Sequence, residues 1–400
     1  MRRAIGVWSL VLVCVWAAGC GYSTPALPSP TATPFLLAET PETAPIVLAG
    51  TLVDGTGAGP VADAVLVIWG RVIVDVGPRD TVSLPDGAQA IELEGATMLP
   101  GLINAHVHNA YDRRNLEKWA RAGVTTVRDL GAPTGEPYFA TRDRLRADPR
   151  YARVVAAGPI VTVPEGYPIA GNNFPSLTVT SPEDAKEKID RLIDDGAEVI
   201  KVAIASDAGP ILSPQEAAAI VERAHARGIP VSAHATELVD LKRALAAGVD
   251  DVNHMAVDHV PNQVIRQMVD VGVSWVPTFD ALGGRGLDNL RRFIRAGGRV
   301  ALGNDAGYLR GLEIGMPMEE IAWMDKAGMT PMQIIVAATR DAAYVCRLDD
   351  EVGTLEVGKV ADLVVVEGNP LQDLNALRNA RMVVREGVVI CGGNSGLACE

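Results

Sequence analysis

Two histidines separated by one residue, His106 and His108, end an apolar segment of the sequence. If this segment is a β-strand, residues i and i+2 point to the same side with Cα atoms about 6.6 Å apart, so that both imidazoles can bind one metal ion. A chance His-x-His pair is improbable in a chain with 6 histidines among 400 residues. The pair therefore indicates a metal site on a strand.

Lys201 lies in the apolar segment VIKVAI. A buried ammonium group is costly there unless it is paired or neutralised. One solution is deprotonation followed by addition of carbon dioxide to Nζ, which gives a carbamate with two oxygens suited to two cations about 3.5–4 Å apart. The alternative is a lysine that points outward between helices and reaches water. The segment alone leaves both interpretations open.

The elements that must position these residues alternate between short apolar runs and amphipathic segments over residues 99–351. The amphipathic segments begin with Ser-Pro, as at Ser181 and Ser213, and end near glycine, as at Gly248. Eight strands alternating with helices over about 250 residues predict an α/β fold of the (β/α)8 TIM-barrel type, with a doubly wound open sheet as the alternative. The predicted strands end near His106–His108, Asp129, Ala157, Lys201, His234, His254, Thr278 and Asp305.

The active site of such a barrel lies at the carboxyl ends of its strands. Four of the 6 histidines fall at those predicted ends, together with a lysine and an aspartate. The expected metal ligands are His106, His108, Lys201, His234, His254 and Asp305. Arg128, beside Asp129, is interpreted as part of a structural ion pair, and His259 as a surface residue.

The segments on both sides of this middle region contain short apolar strands separated by Gly and Asp turns. Residues 46–98 and 352–395 are predicted to form one small β-sandwich domain built from both chain ends. In an oxidising compartment Cys391 and Cys399 could close the loop between them, whereas Cys346 is predicted to be a small buried hydrophobe.

The N-terminus has the pattern of a lipoprotein-type signal peptide, predicted over residues 1–19. Two arginines precede an apolar run of about 14 residues, too short to span a bilayer comfortably, and small residues precede Cys20. We expect cleavage before Cys20 and lipidation of its thiol, with an ordinary signal peptide or an uncleaved anchor as alternatives. Residues 20–45 contain 6 prolines and are predicted to form an extended tether. The expected location is therefore the bacterial cell envelope, on a periplasmic or extracellular membrane face.

Composition and charge exclude some classes of function. Hydrophobic residues at 48% and charged residues at 21% indicate a folded chain rather than a disordered one. A net charge of −13 argues against nucleic acid as the main partner and leaves the N-terminal lipid as the expected membrane contact. The Gly-x-Ser-x-Gly and Gly-x-Gly-x-x-Gly motifs are absent from the sequence, so serine-hydrolase and dinucleotide-binding functions have no local support.

Several motifs together resemble those of the amidohydrolase superfamily of metal-dependent hydrolases, namely LPGLINAHVH, VTTVRDLG, an isolated IK strand, AHA, VNH and GNDAG. The resemblance spans about Gly50 to Val389 and is to the imidazolonepropionase-like and Xaa-Pro-dipeptidase-like branch with a binuclear centre. It implies one ion bound by His106, His108 and Asp305, a second bound by His234 and His254, and a carboxylated Lys201 that bridges both. Imidazolonepropionases use one ion and lack the bridging lysine, so this lysine argues against that activity. The donor set makes Zn²⁺ the first expectation for both ions.

The resemblance implies a hydrolase that cleaves the C–N bond of a small amide or dipeptide, with Xaa-Pro dipeptides among the candidates. A hydroxide between the two ions would attack the carbonyl, and Asp305 would carry the proton to the departing amine. Tyr167 lies in a long loop after the third predicted strand and is expected either to contact substrate or only to pack that loop. The alternatives are a lactonase or esterase with the same centre, and a catalytically dead metal- or ligand-binding lipoprotein. The oligomeric state is left open.

Overall fold

The structure is a computed structural model that describes residues 44–132, 137–169, 174–309, 311–393 and 395–399. The predicted signal peptide, residues 1–19, and the predicted lipidation site, Cys20, lie outside the described residues. The predicted tether, residues 20–45, also lies outside them except for its last two residues.

The described chain is an α/β structure in which β-rich segments precede and follow a region of alternating strands and helices. The strands are β1 (Ile46–Leu52), β2 (Val61–Trp69), β3 (Val72–Pro78), β4 (Ile91–Pro100), β5 (Leu102–Val107), β6 (Val124–Asp129), β7 (Arg153–Ala156), β8 (Val161–Thr162), β9 (Leu177–Thr178), β10 (Ile200–Ala203), β11 (Val231–His234), β12 (Asp251–Asn253), β13 (Ser274–Val276), β14 (Leu363–Glu367), β15 (Ala380–Arg385) and β16 (Val388–Gly392). The helices are α1 (Arg113–Arg121), α2 (Tyr138–Arg146), α3 (Pro182–Asp194), α4 (Pro214–Ala226), α5 (Leu238–Ala247), α6 (Asn262–Asp270), α7 (Phe279–Leu282), α8 (Leu287–Arg295), α9 (Met318–Lys326), α10 (Pro331–Ala337) and α11 (Arg340–Val345), with a 3₁₀ helix at Leu374–Arg378.

The two β-rich segments come together in one seven-stranded mixed sheet with the order β16-β15-β14-β4-β1-β2-β3. Strands from both segments are hydrogen-bonded into this single sheet, as expected for one domain built from both chain ends, whereas its two-layer sandwich form stays a prediction. The two segments are joined by the ten-residue strand β4, which pairs with β1 along one edge and with β14 along the other. Both faces of the sheet bury apolar side chains, with Leu66 in one cluster and Val67 in another. The predicted domain boundaries stay a prediction, since the described residues belong to one compact unit.

The middle region contains two parallel sheets, with the orders β13-β12-β11-β10-β8-β9 and β5-β6-β7. The segment VALGND, predicted as the last strand, is not a regular strand. Its Val300 bridges to Trp275 of β13, and the next residue after the segment, Ala306, bridges to Val107 of β5. Strands β10 and β11 are paired so that Lys201 lies opposite Ser232. The predicted parallel pairing and the α/β class are confirmed.

Local sequence determines where the helices between these strands begin and end. Ser181 and Ser213 accept hydrogen bonds from the third amide of α3 and α4, and proline occupies the first helical position of each helix. Helix α5 ends at Gly248, which adopts the left-handed conformation that glycine tolerates best. These caps confirm the predicted helix starts and the predicted glycine stop.

The C-terminal cysteines and the buried thiol also follow expectation. A disulfide joins Cys391 and Cys399, and Cys346 is a buried free thiol. Among the described residues, no helix has both the length and the apolar character needed to cross a membrane.

Candidate metal centre

The first part of the site lies where β5 meets the segment that precedes Asp305. The side-chain oxygen Oδ1 of Asp305 lies 3.2 Å from His106 Nε2 and 3.0 Å from His108 Nε2. Backbone hydrogen bonds fix this register, because the amide of Asp305 donates to the carbonyl of His106 and the amide of His108 donates to the carbonyl of Ala306. The His-x-His pair thus shares one carboxylate, as expected for residues on the same side of a strand.

The second part of the site comes from the next strands of the parallel sheet. His234 is the last residue of β11, and His254 directly follows β12. Their ring centroids are 4.4 Å apart, and the ring of His254 is 5.0 Å from that of His106. Nitrogen or oxygen atoms of His106, His254 and Asp305 all lie within 4.8 Å of one another, close enough to share an ion. The structure therefore brings all four predicted histidines and the aspartate together.

Hydrogen bonds on the far side of two rings orient them toward the centre. His108 Nδ1 donates to the carbonyl of Gly131 at 3.2 Å, and His254 Nδ1 is hydrogen-bonded to Thr278 Oγ1 at 2.7 Å. A partner at Nδ1 leaves Nε2 as the nitrogen that can bind an ion, and such bonds hold the ring at a fixed angle. Thr278 was predicted only as a strand end, so its contact with His254 is a feature that the sequence analysis missed.

Lys201 is buried near these histidines and has an exposed fraction of 2%. The interpretation of this residue as an outward, water-reaching lysine is therefore wrong. Its Nζ has no hydrogen-bond partner among the residues that the structure describes. Burial lowers the pKa of Lys201 to about 7, a shift that the charges of Asp305 and Asp251 oppose. A neutral amine is therefore accessible near neutral pH.

Most of the other titratable groups are held in the ionisation states that metal ligands need. Burial lowers the pKa of His234 to about 3, and it holds the pKa values of His106 and His254 well below the ordinary value. Burial alone would raise the pKa of Asp305, but the adjacent histidines outweigh it and hold this pKa well below its usual range. For His108 burial is again opposed, because the hydrogen bond and charge of Asp305 raise its pKa. The site thus favours a carboxylate and mostly neutral imidazoles, which are ligand forms.

Backbone strain is concentrated at this site. His254, Thr278 and Asp305 have φ angles of 69°, 51° and 63°, in the left-handed region that residues with a β-carbon rarely adopt. Asn109, next to His108, has a φ of 56°. Such strain persists only where surrounding contacts enforce it, and it clusters at functional sites.

Aromatic side chains lie close to two of the histidines. The ring of Tyr167 lies 4.5 Å from that of His234 at an interplanar angle of 32°. The ring centroid of Tyr308 lies 5.2 Å from that of His108, and the ring centroid of Phe174 lies 5.2 Å from that of Tyr308. The structure therefore places Tyr167 beside the predicted ligands, whereas Tyr308 and Phe174 were missed because nothing in their local sequence marks them.

Two other polar residues named from the sequence lie outside this cluster. Arg128 is fully buried and donates two hydrogen bonds of 2.9 Å to Asp251, a structural ion pair with a different partner from the adjacent Asp129. His259 is exposed and contacts Arg292, which agrees with its interpretation as a surface residue.

The chain is similar to several known proteins. A model of the amidohydrolase family matches residues 97–394. An imidazolonepropionase of Symbiobacterium thermophilum is 27% identical over 383 aligned residues, which cover 80% of this chain and 90% of that protein. An ochratoxinase of Aspergillus niger is 26% identical over 429 aligned residues, which cover 88% of this chain and 87% of that protein. The solved structure of a Xaa-Pro dipeptidase with bound methionine in its active site is 25% identical, with a TM-score of 0.77 and coverage of 86% of this chain and 99% of that chain. The chain therefore belongs to the amidohydrolase family.

Proposed function

We propose that the protein is a binuclear metal-dependent hydrolase that cleaves a C–N bond of a small amide or dipeptide. The observation that carries this proposal is the convergence of four imidazoles and one carboxylate near a buried lysine whose Nζ has no partner within the described ranges. Family membership supports a hydrolase, and the Xaa-Pro dipeptidase structure makes Xaa-Pro dipeptides the first substrate class to test.

The proposal includes a closed eight-stranded barrel. The two parallel sheets are linked on one side by the bridges that Val300 and Ala306 make to β13 and β5. On the other side, the amide of Glu198, just before β10, donates to the carbonyl of Ala156 at the end of β7. A barrel closed in this way directs residues at the carboxyl ends of all its strands toward one opening.

The residues present fit a pair of divalent ions. In the proposed assignment His106, His108 and Asp305 would hold one ion, His234 and His254 would hold the other, and Lys201, as a carbamate, would supply an oxygen ligand to each. The amine of Lys201 supports this assignment, because it has a pKa of about 7 and only a neutral amine adds carbon dioxide. Nitrogen and oxygen donors are compatible with zinc and with other divalent ions.

Bound divalent ions supply a nucleophile at neutral pH by lowering the pKa of coordinated water, and they polarise the carbonyl that is attacked. The chain's own contribution is then proton transfer and orientation. The carboxylate of Asp305, ionised and shared between two histidines, takes the proton of the attacking water and returns it to the departing amine. The ring of Tyr167, stacked beside His234, borders the space where the substrate would lie.

The proposed location is the cell envelope, with the chain held by lipid on Cys20 at the end of the tether. The disulfide between Cys391 and Cys399 supports an oxidising compartment, since such bonds are rare in the reducing cytosol.

The experiment is a substrate screen on metal-free protein reconstituted with zinc and bicarbonate, with Xaa-Pro dipeptides, N-acyl amino acids and lactones as the three arms. The expected result is turnover of at least one amide arm, at a rate that Asp305→Asn lowers on the order of 10²–10³-fold and Asp325→Asn leaves unchanged. Asp325 is an exposed residue of α9 and serves as the matched control. Turnover of lactones alone would favour the lactonase alternative, and a fully metal-loaded protein that hydrolyses nothing would favour a dead binding protein. Near-normal turnover by Asp305→Asn would contradict the role of Asp305.

A further inference from the structure

Glu320 is a fully buried glutamate that the proposed chemistry does not use. It lies in the first turn of α9 with an exposed fraction of 0%. A carboxyl group in such a position needs a partner, because burying an unsatisfied polar group is costly. Its position therefore calls for an explanation other than packing.

The partner of Glu320 is the start of another helix. The amide of Asp280 donates to Glu320 Oε2 at 2.8 Å, across 40 residues of sequence. The other oxygen, Oε1, has no hydrogen-bond partner in the part of the chain that the structure describes. Glu320 thus satisfies a backbone amide in the first turn of α7, where amides have no partner within their own helix.

Helix α7 needs this external acceptor because its own N-cap side chain is engaged elsewhere. The N-cap residue is Thr278, which makes no side-chain cap hydrogen bond. Its Oγ1 is instead hydrogen-bonded to Nδ1 of His254 at 2.7 Å. A threonine at an N-cap normally accepts from the amides that follow it, so the hydroxyl has exchanged its usual partner for the histidine.

Thr278 also holds a conformation that must be enforced. It is fully buried, and its φ of 51° is rare for a β-branched residue. The chain that follows it is fixed by the bond between Glu320 and Asp280 and by Phe279, which is itself fully buried. One continuous set of contacts therefore leads from Glu320 through the start of α7 to the ring of His254.

We propose that Glu320 is a positioning residue for the metal centre, which caps α7 so that the Thr278 hydroxyl holds His254 in its ion-binding orientation. This inference rests on the proposed function, because it assumes that His254 is a metal ligand. On this inference Glu320 affects the binding of the second ion, held by His234 and His254. It does not affect the ion held by His106, His108 and Asp305.

The test measures the stepwise zinc affinities of metal-free protein by competition with a chromophoric chelator, together with the visible absorption spectrum of the cobalt-substituted protein. In Glu320→Met the acceptor is lost, and we expect only one of the two zinc affinities, that of the ion held by His234 and His254, to fall by about 10–100-fold, while the other stays within about twofold. The cobalt spectrum of the second site should change with it. Glu320→Gln keeps a carbonyl oxygen for the Asp280 amide and should restore both affinities.

Glu319→Gln is the matched control, since Glu319 is the exposed neighbour of Glu320 on α9. It should leave both zinc affinities unchanged. Glu320→Ala is a second variant without an acceptor and adds no bulk, so the test does not depend on one substitution folding. Unchanged zinc affinities in a folded Glu320→Met or Glu320→Ala would overturn the inference, as would an equal loss at both sites.

A double-mutant cycle tests the proposed route through Thr278. Thr278→Val removes the hydroxyl and should weaken the second zinc site by a similar factor. If Glu320 acts through that hydroxyl, Thr278→Val combined with Glu320→Met should lose little more than either single variant. If the losses of zinc affinity in the two single variants multiplied in the double variant, Glu320 would not act through the Thr278 hydroxyl. Failure of the wild-type protein to bind a second ion would count against the proposed function itself, so the two failures are distinguishable.

Discussion

Two buried cations on the parallel strands, Arg128 of β6 and Lys201 of β10, differ in how the protein satisfies their charge. Arg128 donates two hydrogen bonds of 2.9 Å to Asp251 and one of 2.7 Å to the carbonyl of Ala105. Lys201 is 2% exposed, yet its Nζ has no hydrogen-bond partner among the described residues. The protein thus pairs Arg128 with its own groups, whereas Lys201 has no hydrogen-bond partner among the described residues.

The pKa values show the consequence. Burial lowers the pKa of Arg128, but the charge and hydrogen bonds of Asp251 outweigh burial and raise it. For Lys201 burial dominates and lowers the pKa to about 7. Lys201 of β10 pairs with Ser232 of β11, and Ser232 pairs with Asp251 of β12. Lys201 and Asp251, the partner of Arg128, are therefore separated by a single strand. The contrast indicates that the paired charge holds the fold, whereas the unpaired amine belongs to a site that a ligand completes.

The sharpest test of this contrast is Lys201→Met. We expect kcat/KM for the best substrate to fall on the order of 10³-fold or more, because the proposed bridging anion is lost. The free energy of unfolding of the metal-free protein should not fall, since an unpaired buried amine is replaced by an apolar chain of similar length. Steady-state kinetics and urea unfolding measure the two quantities, with Lys242→Met, an exposed position on α5, as the control. Retained activity would show that the amine has no part in the chemistry.

The opposite behaviour is expected of Arg128→Met. It leaves the carboxylate of Asp251 buried without its cation, and we expect the free energy of unfolding to fall by about 3–5 kcal/mol. Adding Asp251→Leu should recover much of this loss, because the double variant contains no unpaired charge. Urea unfolding of the two variants checks both expectations. A loss below about 1 kcal/mol, the range of exposed ion pairs, would remove the contrast with Lys201.

Glu320 is an intermediate case, with one oxygen paired and the other without a partner in the described residues. Burial raises the pKa of Glu320 to about 8 from an ordinary value of 4.5. The folded protein therefore keeps a proton that the unfolded chain releases. The stability from this proton is complete below about pH 4.5 and is lost as the pH rises through about 8.

Wild-type protein should consequently lose up to about 1.4 kcal/mol of stability per pH unit in this interval, relative to Glu320→Gln, which cannot ionise. Urea unfolding of both metal-free proteins at several pH values between about 5 and 8 measures the difference. A constant difference across the interval would show that Glu320 is already ionised when folded.

The sequence predicted what local pattern and strand-end position determine. Ser213 and the residues after it specified the start of α4 through its capping box, and the alternation of strands and helices indicated which residues share one edge of the sheets. Apolar neighbours on both sides of Lys201 left two interpretations open, a buried amine that is neutralised or an outward lysine that reaches water. Its burial is now established, whereas its role as a ligand stays a proposal.

The features that the sequence missed depend on contacts between distant segments. Thr278 and Glu320 are related only through the packing of α7 against α9, which no periodicity or motif encodes. Tyr308 meets His108 because the segment after Asp305 pairs with the end of β5 through Ala306 and Val107. Strand texture predicted β-structure at both chain ends, but only the pairing of β4 with β1 and with β14 shows how the two segments join.

The central claim is that the cluster around Lys201 binds two ions. Crystals of the full chain reconstituted with zinc and bicarbonate would test it through anomalous difference maps at the zinc absorption edge. The account predicts two peaks about 3.5–4 Å apart, between the four histidines, Asp305 and a branched density on Lys201 Nζ. A single peak with an unmodified Lys201, or no peak among these residues, would contradict it.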